Sequence, residues 1–413
     1  MNKPITLALY IIAASIVSEA QNVEDAANVV SNLGGRDELR YQGTLYVVGS
    51  TGKFAPYMIG SWNGGKIVNG DNALADLMAV KPMDSSRRFS WGAGAEIVGG
   101  YSSAVSYDRY VENSGWTSHS MRPAAAWIQQ LYGEAKYRGI YVMAGMKDHN
   151  SRLVNQRLSS GDLVWSNNAR PFARIEGGFV DFQNIPFTNG WAQIQAGITY
   201  GKFTDDDWVE KQYNYFSSNI CLGSYFTYKH VYFRSKPDER LSVMIGAQVF
   251  GQYGGTSYVY KRGSLYLKEE YSSGLKAMWN MFLPTEGSGN SYYEGDTFGS
   301  WDFRARYDIA AGHRLSAYFQ WYWEDGSGMA RRNGTDGLWG LEYSRDGKHA
   351  LTGVVLEYFD FRDQSGTIHW APRFFPGTTI PMEATGNDNY YCNFTWNANA
   401  NYGMSYGSPF VLS

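Results

Sequence analysis

The 413 residues carry only 18% charged side chains but 16% aromatics, with 32 Tyr, 14 Trp and 47 Gly, where a soluble domain averages about a quarter charged. A net charge of −3 lacks the electrostatic footprint of a nucleic-acid binder and argues for no strongly acidic partner. Beyond the N-terminus no stretch approaches the roughly 20 apolar residues of a membrane helix, which excludes an inner-membrane helical protein.

The chain opens with Lys3, an apolar run from Ile5 to Val17, and Ser18-Glu19-Ala20 before Gln21. This is the layout of a secretory signal, so residues 1–20 are expected to be removed by cleavage between Ala20 and Gln21. No cysteine sits at the cut to carry a lipoprotein anchor. In 21–38, Val23, Ala26, Ala27, Val30 and Leu33 recur at helical spacing and suggest a short periplasmic helix. Residues 39–413 form one further domain, with no linker or low-complexity tract to divide it.

Period-two alternation dominates that domain. Phe89, Trp91, Ala93, Ala95 and Ile97 form one stripe. Leu131, Ala135, Tyr137, Tyr141 and Met143 are expected on one face, opposite Glu134, Lys136 and Arg138. Leu241, Val243, Ile245, Ala247 and Val249 make another stripe. Between Trp301 and Ile309, apolar Trp301, Phe303, Ala305, Tyr307 and Ile309 alternate without a break with Asp302, Arg304, Arg306 and Asp308. Leu315, Ala317, Phe319, Trp321 and Trp323 then alternate with Ser316, Tyr318, Gln320, Tyr322 and Glu324. Further strands are expected near 40–48, 191–201, 220–234, 258–267, 272–282 and 338–359.

The reading is an all-β chain forming a large antiparallel transmembrane β-barrel with short helical elements. Its apolar stripes face lipid and its charged ones line the lumen. Backbone groups in hydrocarbon must be paired within the protein, so a spanning sheet has to close. Lumenal charges must be wet or paired, and the mixed signs at 302–308 suit cross-strand pairing. The length accommodates about 16 to 18 strands.

The connections carry individual features. In 163–174, Pro171 holds Arg170 extended and marks an irregular segment from which Arg170 and Arg174 could enter the lumen. Asp205-Asp206-Asp207 reads as a solvated turn, because three adjacent carboxylates lack the spacing of a calcium loop. From Trp323 to Trp339, Asn-Gly and Asp-Gly dipeptides mark a turn-rich connection. That connection is first of all a link between strands. Its sharper reading is a polysaccharide site, with Trp323 or Trp339 stacking on sugar rings, Glu324 and Asp325 beside them, and Arg331 and Arg332 holding carboxylates. Cys221 and Cys392 lie far apart, and export would permit a disulfide. None of the six histidines forms a metal-spacing pair and no nucleophile elbow is present, so no catalytic residue, metal or cofactor is expected.

Several segments resemble the capsule-assembly Wzi family of outer-membrane proteins. They are Gly52-Lys53-Phe54-Ala55-Pro56-Tyr57-Met58, Ser166-Asn167-Asn168-Ala169-Arg170-Pro171 and Tyr200-Gly201-Lys202-Phe203-Thr204-Asp205-Asp206. They continue in Gln248-Val249-Phe250-Gly251-Gln252-Tyr253-Gly254-Gly255 and Gly299-Ser300-Trp301-Asp302. Glu324-Asp325-Gly326-Ser327-Gly328 with Asp336-Gly337-Leu338-Trp339-Gly340-Leu341-Glu342 is the strongest stretch, and Asp388-Asn389-Tyr390-Tyr391 and Tyr406-Gly407-Ser408-Pro409 close the series.

The resemblance implies a barrel of about 18 strands whose pore is obstructed, a lectin-like role in holding capsular polysaccharide at the surface of a Gram-negative cell, and no enzymatic activity. Outer-membrane lipid, lipopolysaccharide and the barrel-assembly machinery would be its other partners. Family members continue past the Gly-Ser-Pro-Phe region, whereas this sequence ends at Ser413, so a C-terminal truncation with unpaired edge strands is expected. The alternative function is a diffusion channel, which charged inward faces suit equally well. A secreted polysaccharide-degrading enzyme of soluble β architecture is the third class.

Overall fold

The computed structural model describes residues 14–16, 39–217, 219–283, 295–324, 326–329, 331, 333–347, 349–364, 390–393 and 395–410. Of the expected signal only residues 14–16 are among these; the rest of it, its Ala20–Gln21 cleavage site, the helix in 21–38, and Asp325 and Arg332 lie outside them.

The wall is a 15-stranded antiparallel sheet. Its long members, in chain order and in order across the sheet, are β1 (Arg40–Val48), β2 (Asn72–Lys81), β3 (Phe89–Ser102), β4 (Ala126–Tyr137), β5 (Ile140–Met146), β6 (Ala173–Phe179), β7 (Ala192–Lys202), β8 (Tyr225–Ser235), β9 (Leu241–Tyr253), β10 (Gly295–Ala310), β11 (His313–Trp323), β12 (Gly337–Arg345) and β13 (Gly353–Asp360). Ala14–Ile16 pairs with β1, and Gln183–Asn184 with β7. No helix among the described residues is long and apolar enough to cross a membrane.

The connections divide by length. Short turns at 82–88, 138–139, 236–240 and 311–312 lie at one end, and long segments at 49–71, 103–125, 147–172, 203–224 and 254–294 at the other. Membrane barrels show the same asymmetry. Among the described residues fewer strands are seen than the 16 to 18 expected, and no ladder joins β13 to β1. Phe410 packs on Phe359 of β13 at 5.3 Å and on Tyr57 of the 49–71 connection at 5.2 Å, so the C-terminal segment bridges β13 and the connection that follows β1.

Alternation places the faces as expected in β10. Phe303, Tyr307 and Ile309 are exposed while Asp302 is fully buried. Arg304 crosses the inner face to Glu342 of β12 at 2.7 Å, and Arg306 meets Asp308 at 3.2 Å.

Other expectations fail for identifiable reasons. The turn at Arg138-Gly139 pairs Tyr137 with Ile140. Paired residues share a face, so Ile140 and Val142 point outward, and Tyr141 and Met143 turn inward, opposite to Leu131. The expected strand at 220–234 breaks at Gly223, which has a φ of 71°, into Asn219–Leu222 and β8, and these lie in different sheets. The one near 258–267 is a hairpin of Gly255–Lys261 and Ser264–Tyr271, and 338–359 is β12 and β13 joined by a turn.

Residues 272–282, expected as a strand, contain the helix Leu275–Phe282. Leu, Ala, Met and Lys favour it, and Ala277 and Met281, one turn apart, bury against Tyr253 on the outer wall. The outward Lys229 of β8 donates to the carbonyl of Phe282 at the end of this helix. Asp205 to Asp207 do not form a solvated turn. Asp205 is buried and precedes the helix Asp206–Gln212. Cys221 and Cys392 form no disulfide.

Candidate functional site

The inner face of the sheet encloses three chain segments. From 147–172 come Leu153, Leu163, Trp165 and Phe172, from the C-terminal region Tyr390, Tyr391 and Tyr406, and from the wall Phe226, Phe250, Phe298 and Tyr322. All belong to one buried cluster, whose aromatic rings meet edge-on or offset. The third segment, 49–71, is held by Lys66, which reaches Asp76 at 2.6 Å and also bonds Glu96. Burial opposes the Lys66 ammonium, but Glu96 and its neighbours outweigh that and hold its pKa above the usual lysine value.

Ser166-Asn167-Asn168 ties the three together. Asn168 accepts from Trp62 N at 3.0 Å and donates to Ser405 O at 2.8 Å, Asn167 accepts from His149 N at 2.7 Å, and Ser166 donates to Gly407 O at 2.6 Å. Asp162, almost fully buried, joins this plug to the wall. It accepts from Gln248 at 2.9 Å, Gln320 at 2.8 Å and the backbone of Val164 at 2.9 Å.

Arg170 and Arg174 do enter the interior. Arg170 lies between Trp127 at 4.2 Å and Tyr402 at 4.5 Å, and burial lowers its pKa to about 10. Arg174 pairs with Glu176 at 2.9 Å and donates to Lys147 O. Both knit plug to wall. The polar hollow beside them, lined by Glu134, Lys147, His149, Glu176 and His230, measures about 50 Å³. A small-molecule site is typically about 300–1,000 Å³, so this one has room for water but not for a sugar ring.

The other expected site residues are dispersed. Trp323 is only 2% exposed, enclosed by Gly299 and Gly328, and offers no stacking face. Trp321 is likewise covered, donating to Asn333 at 2.8 Å. Both positions read as outward, but the 324–336 connection folds back over the rim. Trp339 lies on the outer face, stacked on Phe319 at 3.8 Å. Arg331 is exposed and its guanidinium lies 4.2 Å from the Trp321 ring, also outside. Glu324 is half-buried at the end of β11. Among the described members, then, Trp323 is buried while Trp339 and Arg331 lie on the outer side, so these residues do not converge on one polar site.

A different aromatic group stands at the long-connection end. The hairpin Val105–Val111 and Gly115–Met121, the stretch 213–217, and the hairpin Gly255–Lys261 and Ser264–Tyr271 interlock through backbone bonds. Tyr110 N donates to Asn214 O at 2.7 Å and Gly263 N to Tyr215 O at 2.9 Å. Trp116, 52% exposed, packs with Tyr110 and Phe216, and Tyr215 packs edge-on against Tyr260 at 4.7 Å. Arg109 lies 4.8 Å from the Tyr215 ring, fixed by the carbonyls of Glu210 and Lys211 at 3.1 and 3.3 Å. This crown offers aromatic faces with a guanidinium and hydroxyls at their edges, a chemistry that suits sugars. In sequence Tyr110 and Tyr215 are 105 residues apart and Tyr215 and Tyr260 are 45 apart, and only the local aromatic density around Tyr107–Trp116 and Tyr213–Phe216 hinted at them.

No protein-family model matches the chain, and no curated protein does. Among solved structures the outer membrane channel DcaP of Acinetobacter baumannii matches with a TM-score of 0.28 and 9% identity, over 78% of this chain and 88% of that one. Likeness at this level leaves the functional reading to the chain's own geometry.

Proposed function

We propose that this chain is an outer-membrane barrel that holds capsular or exopolysaccharide at the surface of a Gram-negative cell, as the resemblance to the Wzi family implies, with its lumen closed to solutes. An apolar outer face, short turns at one end and long connections at the other support the membrane placement. Insertion would then require the barrel-assembly machinery. The observation that carries the function is the filled interior. A diffusion channel needs a continuous wet path, whereas here an aromatic cluster and the Asp162 network occupy the lumen. The aromatic crown supplies the binding face.

Two measurements on detergent-purified protein test this. In planar bilayers it should give no steady conductance, and on immobilised acidic capsule it should be retained. Trp116→Ala with Tyr260→Ala should weaken retention about tenfold, the scale of losing one or two ring contacts. A steady open-pore current without retention overturns the proposal in favour of the channel.

A further inference from the structure

The outer face of β9 to β13 has a depression in its apolar surface. One row across the sheet runs Val243, Ala305, Ala317, Leu341 and Leu356, each paired with the next. Its two central alanines form a low floor. The row toward the long connections runs Ile245, Phe303, Phe319, Trp339 and Tyr358, and its rings stand above that floor. Together they outline an open groove of about 500 Å³ whose lining is almost wholly apolar, within the roughly 300–1,000 Å³ of ligand sites.

The groove leads to a cation. Phe319 touches Trp339 at 3.8 Å and Trp321 at 5.6 Å, and Arg331 lies 4.2 Å from Trp321. Three indoles at this rim donate to the connection that carries Arg331. Trp301 donates to Met329 O at 3.3 Å, Trp321 to Asn333 at 2.8 Å and Trp339 to Thr335 O at 3.1 Å. Indoles with apolar bodies and hydrogen-bonded tips mark the interfacial depth of a bilayer. Arg331 is therefore held at headgroup height, with an acyl-sized apolar groove directly below it.

We propose that the groove and Arg331 form a seat for one phosphorylated lipid of the leaflet facing the long connections, with an acyl chain over Ala305 and Ala317 and a phosphate on the Arg331 guanidinium. Charge complementarity selects the occupant. A second copy of this chain or an apolar helix would fill the groove without answering the cation, whereas guanidinium and phosphate match in charge and geometry. The seat rests on the membrane placement proposed above, not on the polysaccharide role.

Native mass spectrometry of delipidated protein tests it, using bis-phosphorylated lipid A and its dephosphorylated form as probes. Wild type should bind one phosphorylated molecule about tenfold more tightly than the dephosphorylated one, the scale of a charge-assisted contact. Arg331→Gln should abolish that preference, and Ala317→Phe should weaken both lipids. Ala305→Leu, a smaller filling, gives a second reading if Ala317→Phe does not fold. An unchanged preference in Arg331→Gln, unchanged binding in both groove variants, or displacement of the lipid by millimolar inorganic phosphate alone overturns the seat. Failure of the wild type to enter detergent micelles or float with vesicles would instead overturn the membrane placement.

Discussion

The two faces of β10 differ by a single step along the chain, yet they are stabilised in different ways. Outward, Phe303, Tyr307 and Ile309 stand exposed, with apolar neighbours from adjacent strands. Any side chain of similar polarity would serve there, because contact with hydrocarbon demands no particular partner. Inward, Asp302 is fully buried and accepts from Tyr232 at 2.7 Å, Gln248 at 2.8 Å and Ser300 at 2.7 Å, beside the Asp162 that reaches in from the plug. Buried polar groups must be matched atom by atom. The outer face therefore tolerates variation within one polarity, and the inner face tolerates little.

The largest effect should come from breaking the inner face. Asp162→Ala takes the acceptor from one N–H of the Gln248 amide, one of the Gln320 amide and the backbone N–H of Val164, while Gln248 keeps Asp302 and Gln320 keeps Ser300. At about 1–3 kcal/mol for each buried unpaired group, a loss of about 4 kcal/mol is expected. It would be read as a lower temperature for losing the compact, heat-modifiable band on a gel. No change would mean that the plug is not packed as described.

A charge on the outer face comes next. Leu341→Arg places a guanidinium on the middle row of the wall and should cost about 2–4 kcal/mol in bilayers. In water an exposed leucine is usually replaced within about 0.5 kcal/mol. Equal stability of the two proteins in vesicles would remove the membrane from the picture.

A smaller, pH-dependent effect tests the attachment of the C-terminal segment. Burial pushes the Asp205 carboxyl up to about 6 while its oxygen accepts from Tyr402 N at 3.0 Å. A carboxyl whose pKa is raised by folding keeps its proton in the folded state where the unfolded chain has lost it. Stability therefore falls as pH rises from about 4 to about 6 and is level above, by no more than about 3 kcal/mol. Asp205→Asn should flatten that slope and leave the protein more stable than wild type at pH 7, as measured by thermal unfolding across pH.

The smallest stability effect is expected at the crown. Trp116→Ala, with its exposed ring, should move the melting point little while it weakens polysaccharide retention. A large loss of stability there would make the crown structural.

Some of this was legible in the residues. Unbroken alternation in 301–309 and 241–249 placed the two faces of β10 and β9 correctly, because strand geometry sends successive side chains to opposite sides whatever the context. Pro171 marked 163–174 as irregular, which holds as far as Phe172, whereas Ala173 and Arg174 already begin β6; Arg170 and Arg174 point inward. Parity was lost wherever a turn intervened. Arg138-Gly139 reverses the expected faces of Tyr141 and Met143, and the fold-back of 324–336 buries Trp323 and carries Arg331 outside.

Local stereochemistry and hydropathy period were thus enough to specify an all-β chain with one apolar and one polar side. Which polar groups meet, what fills the lumen, and where the tryptophans and arginines of the connections come to rest depended on residues tens to hundreds of positions apart. Hydrogen bonding and close packing are satisfied in space, and strand alternation carries no record of which distant segment will supply the partner.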